Sequence, residues 1–269
     1  MAGRVAVIVE GAEQEKKYFQ SMAREFFTGM KPDIFVLSGC ENIYALWQQM
    51  HKDNFDTDII EVLREKSTSV SKQLNGLCRR DFQEVYLFYD YDPQQDNTSK
   101  AVGALEAMLK EFDNETENGK LYISYPMSEA LRDVSLNSCI PYTCCKFPLS
   151  DVKMYKQRTG NGNKYVHAGA YKTLEWRMVL RIYINRLQCL YGLKKMTDIF
   201  LNEKELNRPL NIYKEEQKIA DSAGKIFILS AFPEFLVDYF PVQKLMEFIS
   251  TEIICCDKFC TITSSVKTK

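Results

Sequence analysis

With 269 residues and a mass of 31.3 kDa, the chain is long enough to bury a core of its own, which excludes a scaffold that depends on disulfide or metal staples. Hydrophobic residues at 45% and charged residues at 26% exclude an intrinsically disordered chain, and the formal net charge of −1 excludes a protein-wide basic field. Charge is nonetheless uneven: residues 141–200 hold 11 basic and 3 acidic side chains, net +8, which leaves −9 for the rest.

Met1-Ala2-Gly3-Arg4 runs directly into an apolar stretch without the long hydrophobic segment of a signal peptide. No apolar run approaches the roughly 20 residues of a membrane span, so a cytoplasmic protein is expected. Nine cysteines, an odd number, fit reduced thiols. The pairs Cys144-Cys145 and Cys255-Cys256, with Cys260, His51 and His167, lack zinc-site spacing.

The first element, Val5-Ala6-Val7-Ile8-Val9, is a continuous β-branched run, the pattern of a parallel strand buried on both faces. It ends at Glu10-Gly11. Residues 13–27 turn helical, with Tyr18, Phe19, Met22, Phe26 and Phe27 at helix spacing. A second strand, Ile34 to Leu37, closes at Ser38-Gly39, and Asn42 is placed to cap a helix carrying Ile43, Leu46, Trp47 and Met50. One polar helix is expected over 56–74. The third strand, Val85 to Tyr89, ends on Asp90-Tyr91-Asp92-Pro93. A helix over 99–112 and a strand from Leu121 to Ser124 follow, with a short helix starting at Pro126. Beyond residue 146, long helices are expected over 171–190 and 203–223, with a last strand over 225–229.

This alternation predicts an α/β fold with a mostly parallel sheet flanked by helices and a largely helical C-terminal extension. In such sheets ligands bind outside the carboxyl ends of the strands. Three strands deliver acids there: Glu10, then Asp90 and Asp92, then Glu129. An acid at the end of a buried strand costs desolvation unless a cation or donors compensate. Its bland alternative is a helix N-terminus that favours negative charge. The Asp-x-Asp spacing sends two carboxylates to one side of a strand end, and such a pair repels unless a divalent ion neutralises it. Here the alternative is a solvated, Asp-rich turn.

Val9-Glu10-Gly11 followed by Tyr89-Asp90-Tyr91-Asp92 resembles the TOPRIM domain of topoisomerases, bacterial primases and OLD-family nucleases, and Ser128-Glu129 looks like the further acidic element of the OLD-like enzymes. The resemblance implies a TOPRIM domain over residues 1–140 with a helical insertion at about 40–80. Residues 141–269 would form a basic, mainly helical region packed on it. The family's second acid falls at Gln14, between Glu13 and Glu15, so which of the three assists the metal stays open. Trp176 in a basic helix and Leu229-Ser230-Ala231-Phe232-Pro233 look like small stand-alone TOPRIM effectors of bacterial phage defence.

What the likeness implies is a metal-dependent endonuclease that cuts DNA or an RNA such as tRNA. It would act as the toxic effector beside an ATPase partner, for which this chain carries no Walker motif of its own. Homodimers are compatible with it. Mg²⁺ or Mn²⁺, one or two ions, would sit on Glu10, Asp90, Asp92 and Glu129, with Glu10 alternatively a general acid or base. The basic stretch adds Lys156 as the cation facing the scissile phosphate, and Lys153, Arg158 and Lys164 as nucleic-acid contacts. Tyr155, Tyr165, Tyr171 and Trp176, interleaved with this charge, serve either to stack bases or as core. Two other classes stay open: a non-catalytic metal-binding regulatory module, and a HAD-like phosphatase with Asp90 as nucleophile.

Overall fold

The computed structural model describes residues 4–28, 32–93, 103–134, 145–194 and 197–250. Its centre is a five-stranded sheet of β1 (Arg4–Val9), β2 (Asp33–Ser38), β3 (Glu84–Asp90), β4 (Asp113–Asn114) and β5 (Gly119–Ser124), in the order β2-β1-β3-β5-β4. All neighbours are parallel except β4 and β5, which pair antiparallel. The chain is therefore an α/β protein, as its alternation predicts. Ala6, Val7, Ile8 and Val9 of β1, an interior strand, are fully buried, which is why that strand has no polar face.

Helix α1 (Gln14–Phe26) follows β1, and α2 (Ile43–Met50) follows β2 with Asn42 Oδ1 accepting from the Ala45 N–H at 2.9 Å. The polar segment beyond it departs from expectation. Instead of one helix, α3 (Ile59–Lys66) and α4 (Thr68–Leu74) are separated at Ser67, whose backbone is extended and whose Oγ caps the second helix. A serine that can bond a nearby N–H competes with helix continuation. Helix α4 covers the edge of β2, where the Gln73 side-chain amide both donates to Ser38 O at 2.9 Å and accepts from Ser38 N at 3.1 Å.

Helix α5 (Ala104–Glu111) packs with α2, in the helical layer that follows β2 and β3. The start expected at Ser99 lies outside the described residues. After β5 the Tyr125-Pro126 bond is cis, and the short helix is a 3₁₀ segment, Ser128–Arg132, rather than one begun by Pro126.

The C-terminal half holds β6 (Lys146–Pro148), α6 (Val152–Gly160), α7 (Thr173–Leu190), the short α8 (Thr197–Leu201) and α9 (Glu203–Leu206), α10 (Pro209–Ala223), β7 (Lys225–Phe227), α11 (Ala231–Tyr239) and α12 (Val242–Ser250). The helix expected over 203–223 is broken before Pro209, which occupies the first helical position because it brings no N–H that a helix interior would need. The last strand is shorter than expected. It pairs antiparallel with β6, while Leu229 bridges to Tyr125.

Helix α11 seats this half against the sheet: Phe232 stacks on Phe88 at 5.2 Å between ring centres, and Phe235 meets Tyr86, Phe88 and Tyr122 at 5.0–5.8 Å. Phe19 of α1 joins the same cluster. Removing one such ring costs about 3–5 kcal/mol. Among the described residues no helix is long and apolar enough to cross a membrane.

Candidate functional site

Sheet order fixes where the acids meet. From β1 the chain moves to β2 on one side, then returns past β1 to β3, so the carboxyl ends of β1 and β3 flank a topological switch point. Glu10 leaves β1 and Asp90 closes β3 at that point, and the Asp90 N–H donates to Glu10 Oε2 at 3.3 Å. From the neighbouring β5 the chain delivers Ser128 and Glu129, both almost fully buried. Ser128 Oγ donates to Glu15 Oε1 at 2.7 Å and lies 3.4 Å from Glu129 Oε2, while its backbone N–H supports the Asp90 carboxylate.

Glu15 is the acid of α1 that faces the site. Glu13 instead pairs with Lys17 on the outer surface, and Gln14 donates to the Tyr18 hydroxyl. Gly11 makes this possible: a Cβ there would lie 1.7 Å from Glu15 Oε2, in space the carboxylate already fills. The sequence names Ser128 only as the neighbour of Glu129, with no role of its own, and does not single out Arg132. A hydroxyl beside Glu129 and a basic residue one turn on are weak signals until the 3₁₀ turn aims them inward. Arg132 donates to the Tyr18 hydroxyl, which burial lifts to a pKa of about 12.

The electrostatics show a surplus of negative charge. Burial raises the Glu10 carboxyl to a pKa of about 7, against the Asp90 N–H bond that lowers it, with repulsion from Glu15 and Asp92 adding to the rise. Asp90 is driven well above the usual carboxylate range by burial first and then by Glu10, Glu15 and Glu129. Among the described residues Glu10, Glu15 and Asp90 make no ion pair, and Glu129 makes one, with Lys156 Nζ at 3.2 Å. Cys40, whose N–H bonds Val9 O, is pushed up to about 12 by burial and stays a protonated thiol.

Charge and donor chemistry fit a hard divalent cation, which takes carboxylate oxygens. Convergence does not yet: each carboxylate leans on a protein donor, and among the described residues no three His, Cys, Asp or Glu side chains come together closely enough to hold a metal. A zinc site is likewise unsupported among them, Cys144, Cys255, Cys256 and Cys260 lying outside the described residues.

The basic residues divide. Lys153 is exposed on α6, as is Lys156. Arg158 leans 3.7 Å from Asp133 and over the Phe147 ring, and Lys164 lies over Tyr165. Tyr155, Tyr171 and Trp176 are buried, so these three belong to the core and present no face to a base. The Tyr155 hydroxyl donates to Asp133 at 3.2 Å, and Trp176 donates to Ser21 at 3.0 Å. A cleft of about 500 Å³ opens elsewhere, lined by Lys120 and Arg208, but both cations there are held by Asp238 and Asp113. Comparison with protein-family models, curated proteins and solved structures finds no match for this chain.

Proposed function

We propose that the chain is a TOPRIM-like, divalent-metal-dependent nuclease that cleaves phosphodiester bonds. The observation that carries this reading is the meeting of Glu10, Asp90 and Glu129, from three successive parallel strands, with Glu15 at one switch point where their charge is not balanced. Structural acids are rarely desolvated in company without matching cations.

Glu10, Asp90, Asp92 and Glu129 would hold the ion, with Glu15 beside them. A divalent cation held there supplies positive charge to polarise a phosphoryl oxygen and to stabilise the leaving oxygen. Lys156 brings a cation toward the phosphate from α6, and Lys153 extends the same helix face along the backbone of the substrate. In the alternative role, with the ion held by the other acids, Glu10, whose carboxyl burial raises to a pKa of about 7, would carry a proton to or from the reacting oxygens. Ser128 keeps Glu15 and Asp90 oriented through its hydroxyl and its N–H.

In this reading the protein is a toxic effector of anti-phage defence in a bacterial cytoplasm, restrained or activated by an ATPase partner that supplies the nucleotide chemistry this chain lacks. The test is cleavage of plasmid DNA and total RNA with Mg²⁺ or Mn²⁺, beside Glu10→Ala and Asp90→Ala. Cleavage lost in both variants supports the nuclease and names its substrate class; cleavage that survives both overturns the site. A non-catalytic module built on the same acids would show no cleavage in any partner complex.

A further inference from the structure

The ion pair across the site joins two unlike side chains. Glu129 is 5% exposed and Lys156 is 69% exposed, so a lysine standing in water reaches its ammonium group into a desolvated acidic site. The helix that carries it is firmly placed. Tyr155, the preceding residue, is fully buried and donates to Asp133, which is itself held by Arg186. The α6 backbone is therefore fixed while the Lys156 side chain is free to turn about its own bonds. Holding the long, solvent-exposed lysine side chain in one rotamer costs entropy, which opposes the pair.

Resting on the metal-nuclease reading above, we propose that Lys156 is a displaceable counter-ion. It stands against Glu129 while the carboxylates hold no metal, and it turns outward to the substrate phosphate when a divalent cation takes over that charge. The ammonium group pairs with Glu129 alone and leaves Glu10, Glu15 and Asp90 without an ion pair among the described residues, whereas a divalent ion of smaller radius approaches several carboxylate oxygens at once. Once Glu129 is claimed, Lys156 is released beside Lys153 with its charge unspent. Metal binding then strengthens the grip on a polyanion, and by reciprocity a bound polyanion strengthens the grip on metal.

Titration of the whole chain with Ca²⁺ by calorimetry, in parallel with Lys156→Met, tests this. The variant should bind Ca²⁺ roughly five- to tenfold more tightly, a loss of competition worth about 1–1.4 kcal/mol. Acylation of Lys156, followed by mass spectrometry of the wild-type protein, should speed up several-fold on Ca²⁺ saturation and should be insensitive to Ca²⁺ in Glu129→Gln. Equal or weaker Ca²⁺ binding by Lys156→Met, or an unchanged acylation rate, overturns the counter-ion role while leaving the metal site intact. A wild-type protein that binds no Ca²⁺ at all overturns the metal reading and this inference with it.

Discussion

Asp133 is met by Arg186 at 3.2 Å, by Arg158 at 3.7 Å and by the Tyr155 hydroxyl at 3.2 Å, whereas Asp90 shares its strand end with Glu10, Glu15 and Glu129 and one lysine. Both acids are desolvated. The first is surrounded by more positive charge than it carries, and Arg186 also donates to the carbonyls of Asp133 and Ile228, tying α7 to the 3₁₀ turn and to the strand beside it. The second is surrounded by its own sign. A structural acid is finished by the fold, while the strand-end acids are left for something the fold does not contain.

The comparison breaks most readily at its structural end. Arg186→Met leaves the Asp133 charge buried with less compensation and should cost about 3–5 kcal/mol, read as an earlier urea midpoint at unchanged slope, with little change in the activity of molecules still folded. At the other end, Asp90→Asn should lower cleavage about 10²-fold or more yet raise the melting temperature, because one of several repelling carboxylates is gone. A variant that loses both stability and activity would make Asp90 a structural acid after all.

A further pair of acids sharpens the contrast. Glu216 and Glu234 are buried; among the described residues neither oxygen of Glu234 is hydrogen-bonded, and Glu216 accepts one bond from Phe227 N at 2.9 Å. Burial raises both carboxyls well above the usual range, so the folded chain holds their protons more tightly than the unfolded one. Stability from this source is complete below the unfolded pKa of about 4.3 and falls as pH rises above it. Glu234→Gln should flatten that fall and stabilise the protein by about 1–3 kcal/mol at pH 8, seen by denaturation at pH 5 and pH 8. The smallest effect belongs to Lys164→Gln, which should weaken nucleic-acid binding a few-fold and lower its salt slope by about 1.

Much of the fold was legible because the strands are unambiguous. Val5 to Val9 and Val85 to Tyr89 are apolar without interruption, and a strand buried on both faces has few other ways to read. The breaks were harder. Ser67 interrupts a helix through one side-chain bond, and Pro209 restarts another where periodicity runs on through it. At the site, Glu10, Asp90 and Glu129 were visible from their position after strands. The choice of Glu15 over Glu13 and Gln14 was not, since it rests on which face of α1 turns toward Ser128, 113 residues away in sequence. Tyr155 and Trp176 looked able to stack bases for the same reason: alternating aromatic and basic residues do not say which of the two faces inward.

Gly11 shows how little a change needs to resemble a lesion. The atoms nearest to an added methyl group are the far end of the Glu15 side chain, which can swing aside without disturbing the sheet. Selection for folding alone would pass Gly11→Ala, and so would a survey that looks for altered charge. Selection for function would not, because the position that keeps Glu15 in the acidic group carries no charge and no donor of its own. In a deep mutational scan the mark of this site would then include a glycine that is tolerant by abundance and intolerant by activity.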